Sequence, residues 1–472
     1  MPKRAMRKHG AQVRGPKAPK KGKSKTARAV TLPVILPDTA GIDIGAMEIF
    51  VAVSPHRDTE PVRSFGTFTR DLEAIAEWLI GCGVRSVAME STGVYWIPLY
   101  QILVDRQIEV CLVNAREFHN VPGRKTDVED CRWLQYLHSV GLLRGSFRPE
   151  PVICAVRTLL RHRQNLVELA AEHVLHMQKA MEQMNLKLTH VISDIMGVTG
   201  TRILEAIIKG ERDPRALAQL CDKRIRNDEE TIVKSLEGDY RPEHLITLEQ
   251  SMAGYRFYQQ QMAELDQKME EFLEAVPAKI DLNSHPLPDS AKRQKRQHNA
   301  PAYDLRSHCY RAFGVDLTQI PGFGPPTAHV LLAEVGPDLT KFPSASQFAN
   351  WLTLCPNNQI TGGKIQSAKT RKGKSRAALA LRQAAQTLEH SESYLGQFFR
   401  RMRAKTGRAE AITAVAHKLA RIFYTLVRTG REYDESVLAK AAVCQSARQE
   451  ARLRRQALEM GFQLVSMEAK TV

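Results

Sequence analysis

The sequence has no run near the ~18–20 consecutive apolar residues that cross a bilayer, so a membrane-spanning chain is not expected. The N-terminus also lacks the apolar segment of a signal peptide. Residues 1–29 instead hold eleven Lys and Arg, no Asp or Glu, and interspersed Gly and Pro. That composition predicts a disordered basic arm, able to track nucleic-acid phosphates through counterion release or equally to be dispensable. None of the eight cysteines forms a C-x-x-C pair. Neither a zinc site nor a disulfide framework is indicated, and reduced thiols in a cytosolic protein are the simplest account. A further absence is local: no Asp or Glu occurs between Asp338 and Glu389.

Within that acid-free span, Gln359 to Arg376 carries four hydroxyls (Thr361, Ser367, Thr370, Ser375) and six cations (Lys364, Lys369, Arg371, Lys372, Lys374, Arg376). It reads either as a solvated loop or as a place where a hydroxyl meets a phosphate. The whole chain has 472 residues, 43% of them hydrophobic, and a net charge of +17. Length predicts more than one domain, and the hydrophobic content supports ordinary packed cores. The positive excess favours a polyanionic partner, nucleic acid ahead of a membrane surface, over mere solubility.

From about 39 to 145 the pattern is α/β. TAGIDIGAM and EIFVAVSPH predict a hairpin turning at Gly45-Ala46, with VRSFGTFT as a third strand. DLEAIAEWLIGCG, with Leu72, Ile75, Ala76 and Leu79 at helical spacing, predicts a helix. VRSVAMES and IEVCLVNA read as further strands, WIPLYQILVDRQ and KTDVEDCRWLQYLHSV as helices. Three successive strands before an alternation of helix and strand predict a mixed sheet with an antiparallel meander on one side. Residues 152–190 read as one long helix, with Ala170, Val174, Met177, Met181, Met184 and Leu188 spaced 4, 3, 4, 3, 4. Met252, Tyr255, Tyr258, Met262, Leu265, Met269 and Phe272 repeat the theme. Two such segments predict an antiparallel coiled coil, within one chain or across a dimer, with the Met residues as core packing. The segment between them predicts a small helical unit. NSHPLPDSAKRQKRQHNAP is a polar linker. The implied organisation is a basic arm (1–38), an α/β domain (39–150), a helical middle (151–280), a linker (281–313), a second helical, basic domain (314–433) and a helical Arg-rich tail (434–472).

Four carboxylates stand out. Asp43 interrupts the apolar strand GIDIG, and Glu90 ends the strand VAMES at the carboxyl edge of a sheet, where sites gather. Asp127 and Asp130 in KTDVED lie three apart, so a helix puts both on one face and turns Glu129 elsewhere. Singly, each has a plain reading: a turn residue, a strand-end charge, or a helix-start acid favoured by the dipole. Together, hard oxygen ligands on these elements suit Mg²⁺, and paired ions can drive phosphoryl transfer. Downstream, LTQIPGFGPPTAHVLLAEVG contains I-P-G-x-G-x-x-x-A. It predicts a helix-hairpin-helix in which Gly322 and Gly324 allow a tight turn and helix-start N–H groups hold a phosphate. The alternative is a plain turn between helices with a proline-favoured helix start.

GIDIG, MESTGVYW, GRKTDVEDCRWL, IPGFGPPTA and CPNNQITGGK, in this order and approximate spacing, resemble the DEDD transposases of insertion-sequence family 110 over roughly residues 39–435. The resemblance implies a RuvC-like, RNase H-type N-terminal α/β domain, a coiled-coil middle and a mainly α C-terminal transposase domain. It implies that Asp43, Glu90, Asp127 and Asp130 are the quartet binding Mg²⁺. It implies recombination of donor and target DNA directed by a structured bridge RNA, dimers assembling into a tetramer, and a cytoplasmic, nucleoid-associated bacterial protein. A serine of the C-terminal domain is implied to attack DNA, at an active site shared between subunits. Where the family usually reads SGGK, this chain reads TGGK. Thr361 therefore ranks first as nucleophile and Ser367 second, and an inactive nucleic-acid-binding copy is a third reading. A RuvC-like junction resolvase or nuclease, using water, is the other enzymatic reading. Arg124, Lys125, Lys364, Lys369, Arg371 and Lys372 are the expected phosphate contacts. Removing one is expected to weaken binding across all sequences and to lower the slope of log affinity against log salt by roughly one. An unchanged slope in a titration of binding from low to high salt would count against that residue.

Overall fold

The computed structural model describes residues 32–91, 93–114, 127–289, 299–371, 373 and 375–463, without the side chains of 127 and 438–449. The basic arm up to residue 31 and the linker residues 290–298 lie outside these. The chain divides into two compact units, one up to Phe147 and one from Arg148.

In the first unit, β1 (Thr39–Ile44) and β2 (Ile49–Val53) form the expected hairpin, closed at Gly45, whose N–H donates to the Glu48 carbonyl at 3.0 Å. β3 (Val62–Phe65), α1 (Thr69–Gly81), β4 (Ser86–Glu90), α2 (Trp96–Asp105), β5 (Glu109–Val113) and α3 (Asp127–Ser139) follow in order. The sheet order is β3-β2-β1-β4-β5. β3, β2 and β1 pair antiparallel; β1, β4 and β5 pair parallel. This mixed sheet with flanking helices is compatible with an RNase H-like fold. Side chains alternate across a strand. Ile42, Ile44, Val87 and Met89 accordingly join Leu72, Ile75, Leu79, Leu99 and Leu103 of α1 and α2 in one core. The opposite face carries Ala88 and Val113 and packs on Leu134 of α3.

In the second unit, α4 (Pro151–Gln183) is shorter than the helix expected over 152–190. Asn185 takes a left-handed φ of +58°. The Asn185 N–H donates to the Glu182 carbonyl and the Leu186 N–H to that of Met181, at 3.1 and 2.9 Å. Asn tolerates that conformation, and this paired bonding stops a helix. Four short helices follow: α5 (Leu188–Val191), α6 (Val198–Ile208), α7 (Pro214–Ala218) and α8 (Glu229–Leu236). They lead into α9 (Pro242–Glu274). α9 runs back antiparallel along α4: Arg163 meets Asp266, His173 meets Tyr258, and Met184 meets Asp239. The methionines at 177, 181, 184, 252, 262 and 269 are buried, as core packing requires, whereas Phe272 is exposed and Leu273 takes the inward place.

The C-terminal part begins within the stretch marked as linker, because α10 (Leu305–Phe313) already buries Leu305, Cys309 and Phe313. α11 (Pro325–Val335), α12 (Ala345–Trp351), β6 (Gln359–Thr361), β7 (Lys364–Ser367), α13 (Arg376–Thr387), α14 (Tyr394–Thr406), α15 (Arg408–Thr429) and α16 (Glu435–Glu459) complete it. Among the described residues, no helix is long and apolar enough to cross a membrane.

Arg163 and Asp266 clamp α4 to α9. Their side chains are 9% and 5% exposed and joined by two bonds of 2.5 and 3.0 Å. Arg163 also donates to the Asn299 carbonyl, and the Ala302 N–H donates to Asp266, so the clamp extends to the chain entering α10. Removing one partner strands a buried charge, at a cost of ~3–5 kcal/mol. Arg163→Met is therefore expected to lower the denaturant midpoint strongly. The double variant Arg163→Met, Asp266→Leu is expected to recover much of the loss.

Candidate active site and basic hairpin

The register of β1 on β4 runs from Thr39 opposite Ser86 to Ile42 opposite Met89. Asp43 and Glu90 are the next residues on these neighbouring parallel strands. They share the sheet face that α3 covers, at its carboxyl edge. Glu90 is buried and Asp43 half-buried.

Three contacts set the direction of α3. Ser86 Oγ is 2.8 Å from Nε2 of His138. Gln135 Nε2 donates to Thr39 Oγ1 at 3.3 Å and to Ser54 Oγ at 2.9 Å. A Cβ on Gly41 would lie 2.2 Å from the Cys131 carbonyl oxygen and 2.3 Å from the Gln135 nitrogen. Going from Thr39 to Gly41 therefore moves along α3 from Gln135 back to Cys131. The next inward residue, Asp43, comes level with the first turn of α3, which begins at Asp127 and contains Asp130. Cys131 reports this placement: burial, then the negative charge of Asp43, pushes its thiol up to about 12. His138 is held neutral by burial, which lowers its pKa, with the charge of Glu109 opposing. Asp130 is half-buried and Glu129 exposed.

Asp43 and Glu90 are thus neighbours, and Asp130 sits on the helix laid across their face. The side chain of Asp127, and Arg124 and Lys125 entirely, lie outside the described residues. Among the described residues, no group of three or more His, Cys, Asp or Glu is disposed to hold a metal ion. The chemistry of the donor set, carboxylate oxygens alone, is that of a site for a hard cation such as Mg²⁺. Gly41 is the residue that sequence reasoning missed. Its only signal is a glycine inside a strand, which often marks a close backbone approach.

In the second unit, the basic stretch is a β-hairpin rather than a loop. β6 and β7 are joined by Gly362 and Gly363, both at positive φ (+55° and +76°), which a two-residue hairpin turn requires. Thr361 pairs with Lys364, Ile360 with Ile365, and Gln359 with Ser367, the register shifting between the last two pairs. Cross-strand partners share a face. The shift therefore places Ser367 on the same face as Thr361 and Lys364, where an unbroken ladder would turn it away. Thr361 and Lys364 are exposed and Ser367 half-exposed. The Ser367 hydroxyl accepts a long 3.4 Å bond from the Lys369 N–H. The Ser375 hydroxyl is committed to structure, because it caps α13 by accepting from the Ala378 N–H at 3.2 Å. Arg371 braces the hairpin base, donating to the Asn350 carbonyl and side-chain oxygens at 3.0 Å. Lys372 lies outside the described residues.

Gly322 and Gly324 are used structurally. Gly322 has φ +85°, and a Cβ there would lie 2.8 Å from the Ala384 carbonyl of α13, so its turn is docked on protein. Gly324 caps α11, whose first two residues, Pro325 and Pro326, provide no N–H. Two of the donors that would hold a phosphate at that helix start are therefore missing.

Two family models match the chain. Residues 40–186 match the DEDD domain model of IS110-type proteins, described as a transposase, and residues 316–400 match the model described as "Transposase IS116/IS110/IS902 family". The chain is also 33% identical over 130 residues to y4pF/y4sB of Sinorhizobium fredii, a protein named for transposase character. That alignment covers 25% of this chain and 32% of the relative, so the chain spans about a third of the relative's length.

The seating of α3 on β1 is open to a direct check. Gly41→Ala forces a methyl into two backbone atoms and is expected to cost on the order of 1–3 kcal/mol, as overpacking does. A Cβ on Gly81 meets nothing within 4 Å. Gly81→Ala is expected to leave the melting temperature unchanged or slightly raised in the same thermal scan.

Proposed function

We propose that this chain, which belongs to the IS110 family of transposases, is a Mg²⁺-dependent, RNA-guided DNA recombinase. The observation that carries the reading is the position of Asp43 and Glu90, the next residues after the Ile42–Met89 pair on neighbouring parallel strands, under the helix that bears Asp127 and Asp130. In this reading these four carboxylates hold Mg²⁺. When bound, the ion supplies charge stabilisation for a pentacoordinate phosphate and its leaving oxygen.

The chain's own residues supply the rest. The hydroxyl of Thr361, or of Ser367 on the same hairpin face, forms a bond to the phosphorus of a DNA phosphodiester. The P–O bond to the neighbouring deoxyribose breaks, the hydroxyl proton passes to a carboxylate, and the departing sugar oxygen takes up a proton. The joined strand stays on the protein as a phosphothreonine or phosphoserine until a second sugar hydroxyl reverses the step. Lys364, Lys369 and Arg371 hold the phosphate; none has a carboxylate partner among the described residues. The partners in this reading are donor DNA, target DNA and a structured guide RNA, and the carboxylates and the hairpin come from different subunits of a dimer or tetramer. Base pairing with the guide would supply sequence choice, leaving the protein to read backbone and shape.

One observation favours a second reading. Threonine at 361 is β-branched and stiffer at χ1 than serine. Water could then replace the protein hydroxyl, giving a RuvC-like nuclease or junction resolvase. Plasmid recombination and covalent capture on a nicked suicide DNA separate these readings. The recombinase reading expects a protein–DNA adduct lost in Asp130→Asn and in either Thr361→Ala or Ser367→Ala, with Thr361→Ser active. Cleavage without any adduct in wild type would replace it by the nuclease. Nucleic-acid binding with neither cleavage nor adduct would leave a binding protein.

A further inference from the structure

Two cavities in the second unit run together. One, of about 570 Å³, lies along α15 between α14 and the chain leading into α16. The other, of about 860 Å³, reaches under the base of the hairpin to Pro356, Ala368 and Thr370. They share Phe398, Ala414 and His417, so they form one groove that ends at the hairpin. The cations in its middle are held in an unusual way. Lys418 Nζ stands 4.4 Å from the ring centre of Tyr394 and 4.6 Å from that of Phe398, and donates to the Tyr394 hydroxyl at 3.1 Å. Beside the groove rather than in its lining, Arg401 stacks on Phe398 at 5.5 Å. Arg421, one turn beyond Lys418, is exposed, and its charge is felt by Cys355 and His417.

None of Lys418, Arg401 and Arg421 has a carboxylate partner among the described residues. Aromatic faces position a cation without neutralising it, and two of the three N–H donors of Lys418 remain for a ligand. Burial and Arg421 keep His417 uncharged at neutral pH, so it adds no charge of its own. The carboxylates that face the groove, Glu410, Glu432 and Asp434, flank this stretch. Glu410 lies about 12 Å before Lys418 at 1.5 Å per residue, and the other two follow the end of α15, beside Arg431. The potential is therefore positive in the middle of the groove, where a chain of phosphates leading to the hairpin would pass. Cavities of this size enclose a group as large as a nucleotide but not a duplex.

We propose that this groove binds single-stranded DNA next to the strand being cut, with Lys418 and Arg421 on successive phosphates and Lys369 and Arg371 continuing the track to the hairpin. The proposal rests on the reading of the chain as a DNA-joining enzyme and extends it to a segment outside the reacting phosphate. Groove-lined cations with interleaved aromatics are the usual means of holding a single strand.

The test is fluorescence anisotropy of the full chain with a labelled DNA single strand, the matching duplex and an RNA strand of the same sequence, over a range of salt. Lys418→Gln and Arg421→Gln are each expected to weaken single-stranded DNA several-fold and to flatten the slope of log affinity against log salt by ~0.7. Lys418→Arg, which keeps the charge and its aromatic seat, is expected to restore both. Arg224→Gln, at a surface ion pair with Asp222 elsewhere, is expected to change neither. Circular dichroism melts establish that the variants fold. Unchanged slopes in the folded double variant Lys418→Gln, Arg421→Gln would overturn the proposal. A loss confined to RNA, or equal for duplex and single strand, would overturn its choice of occupant. Covalent capture in the same preparations keeps the two readings apart. Absence of an adduct with altered slopes sinks the joining reaction and spares the groove; a normal adduct with unaltered slopes does the reverse.

Discussion

The candidate site in the first unit depends on how closely α3 lies against β1. A helix normally rests on a sheet through side chains. Here Gly41 has none, and the Cys131 carbonyl and Gln135 nitrogen occupy the space a methyl would fill. That approach lets Gln135 reach Thr39 and Ser54 and His138 reach Ser86, so these buried polar side chains find partners under the helix. It also brings the first turn of α3 level with the ends of β1 and β4. Backbone packing at a distance from them thus sets Asp43 and Glu90 side by side at the carboxyl edge of the sheet, level with the start of α3.

The second unit is organised by polar clamps between long helices. The Arg163–Asp266 pair is expensive to bury, yet its oxygens and nitrogens are further bonded to Ala302 and Asn299. A fully bonded pair fixes the register of α4 on α9, which a stripe of flexible methionines would leave loose. Arg157 and Arg161 extend the same logic to the C-terminal end of α11. Arg161 bonds the Glu334 carboxylate through Nε and Nη2, and Arg157 donates to the Ala333 and Glu334 carbonyls. The helix pair and the C-terminal helices therefore form one body of packed elements.

On that body the hairpin is a small, exposed and cationic projection. Its shape comes from two glycines and one irregular pairing, and its base is pinned by Arg371 to α12. The lack of any acid from 339 to 388 leaves its charge uncompensated in its own sequence. Lys418 of α15 is likewise held by the rings of Tyr394 and Phe398 and by a hydroxyl instead of a carboxylate. Both arrangements leave the positive field facing outward, as binding of phosphates requires.

Periodicity and local chemistry determined a great deal unaided: the three-strand meander, α1 from Leu72, Ile75, Ala76 and Leu79, the buried methionines, the two strand-borne acids, and the acid-free basic stretch. These are properties of neighbouring residues, and a period of two or 3.6 is written into adjacent positions. Helix ends were less legible, since the stop at Asn185 depends on a backbone conformation that a continuous heptad pattern conceals. The tertiary structure alone decided the rest. That Asp43 stands beside Glu90 follows from parallel pairing of β1 with β4, strands separated in the chain by β2, β3 and α1. That Ser367 shares the face of Thr361 follows from one slipped pair, and that Lys418 lies between two rings follows from the packing of α14 on α15. Each is a contact between distant residues whose cost and geometry are set by the whole fold, so no local pattern announces it.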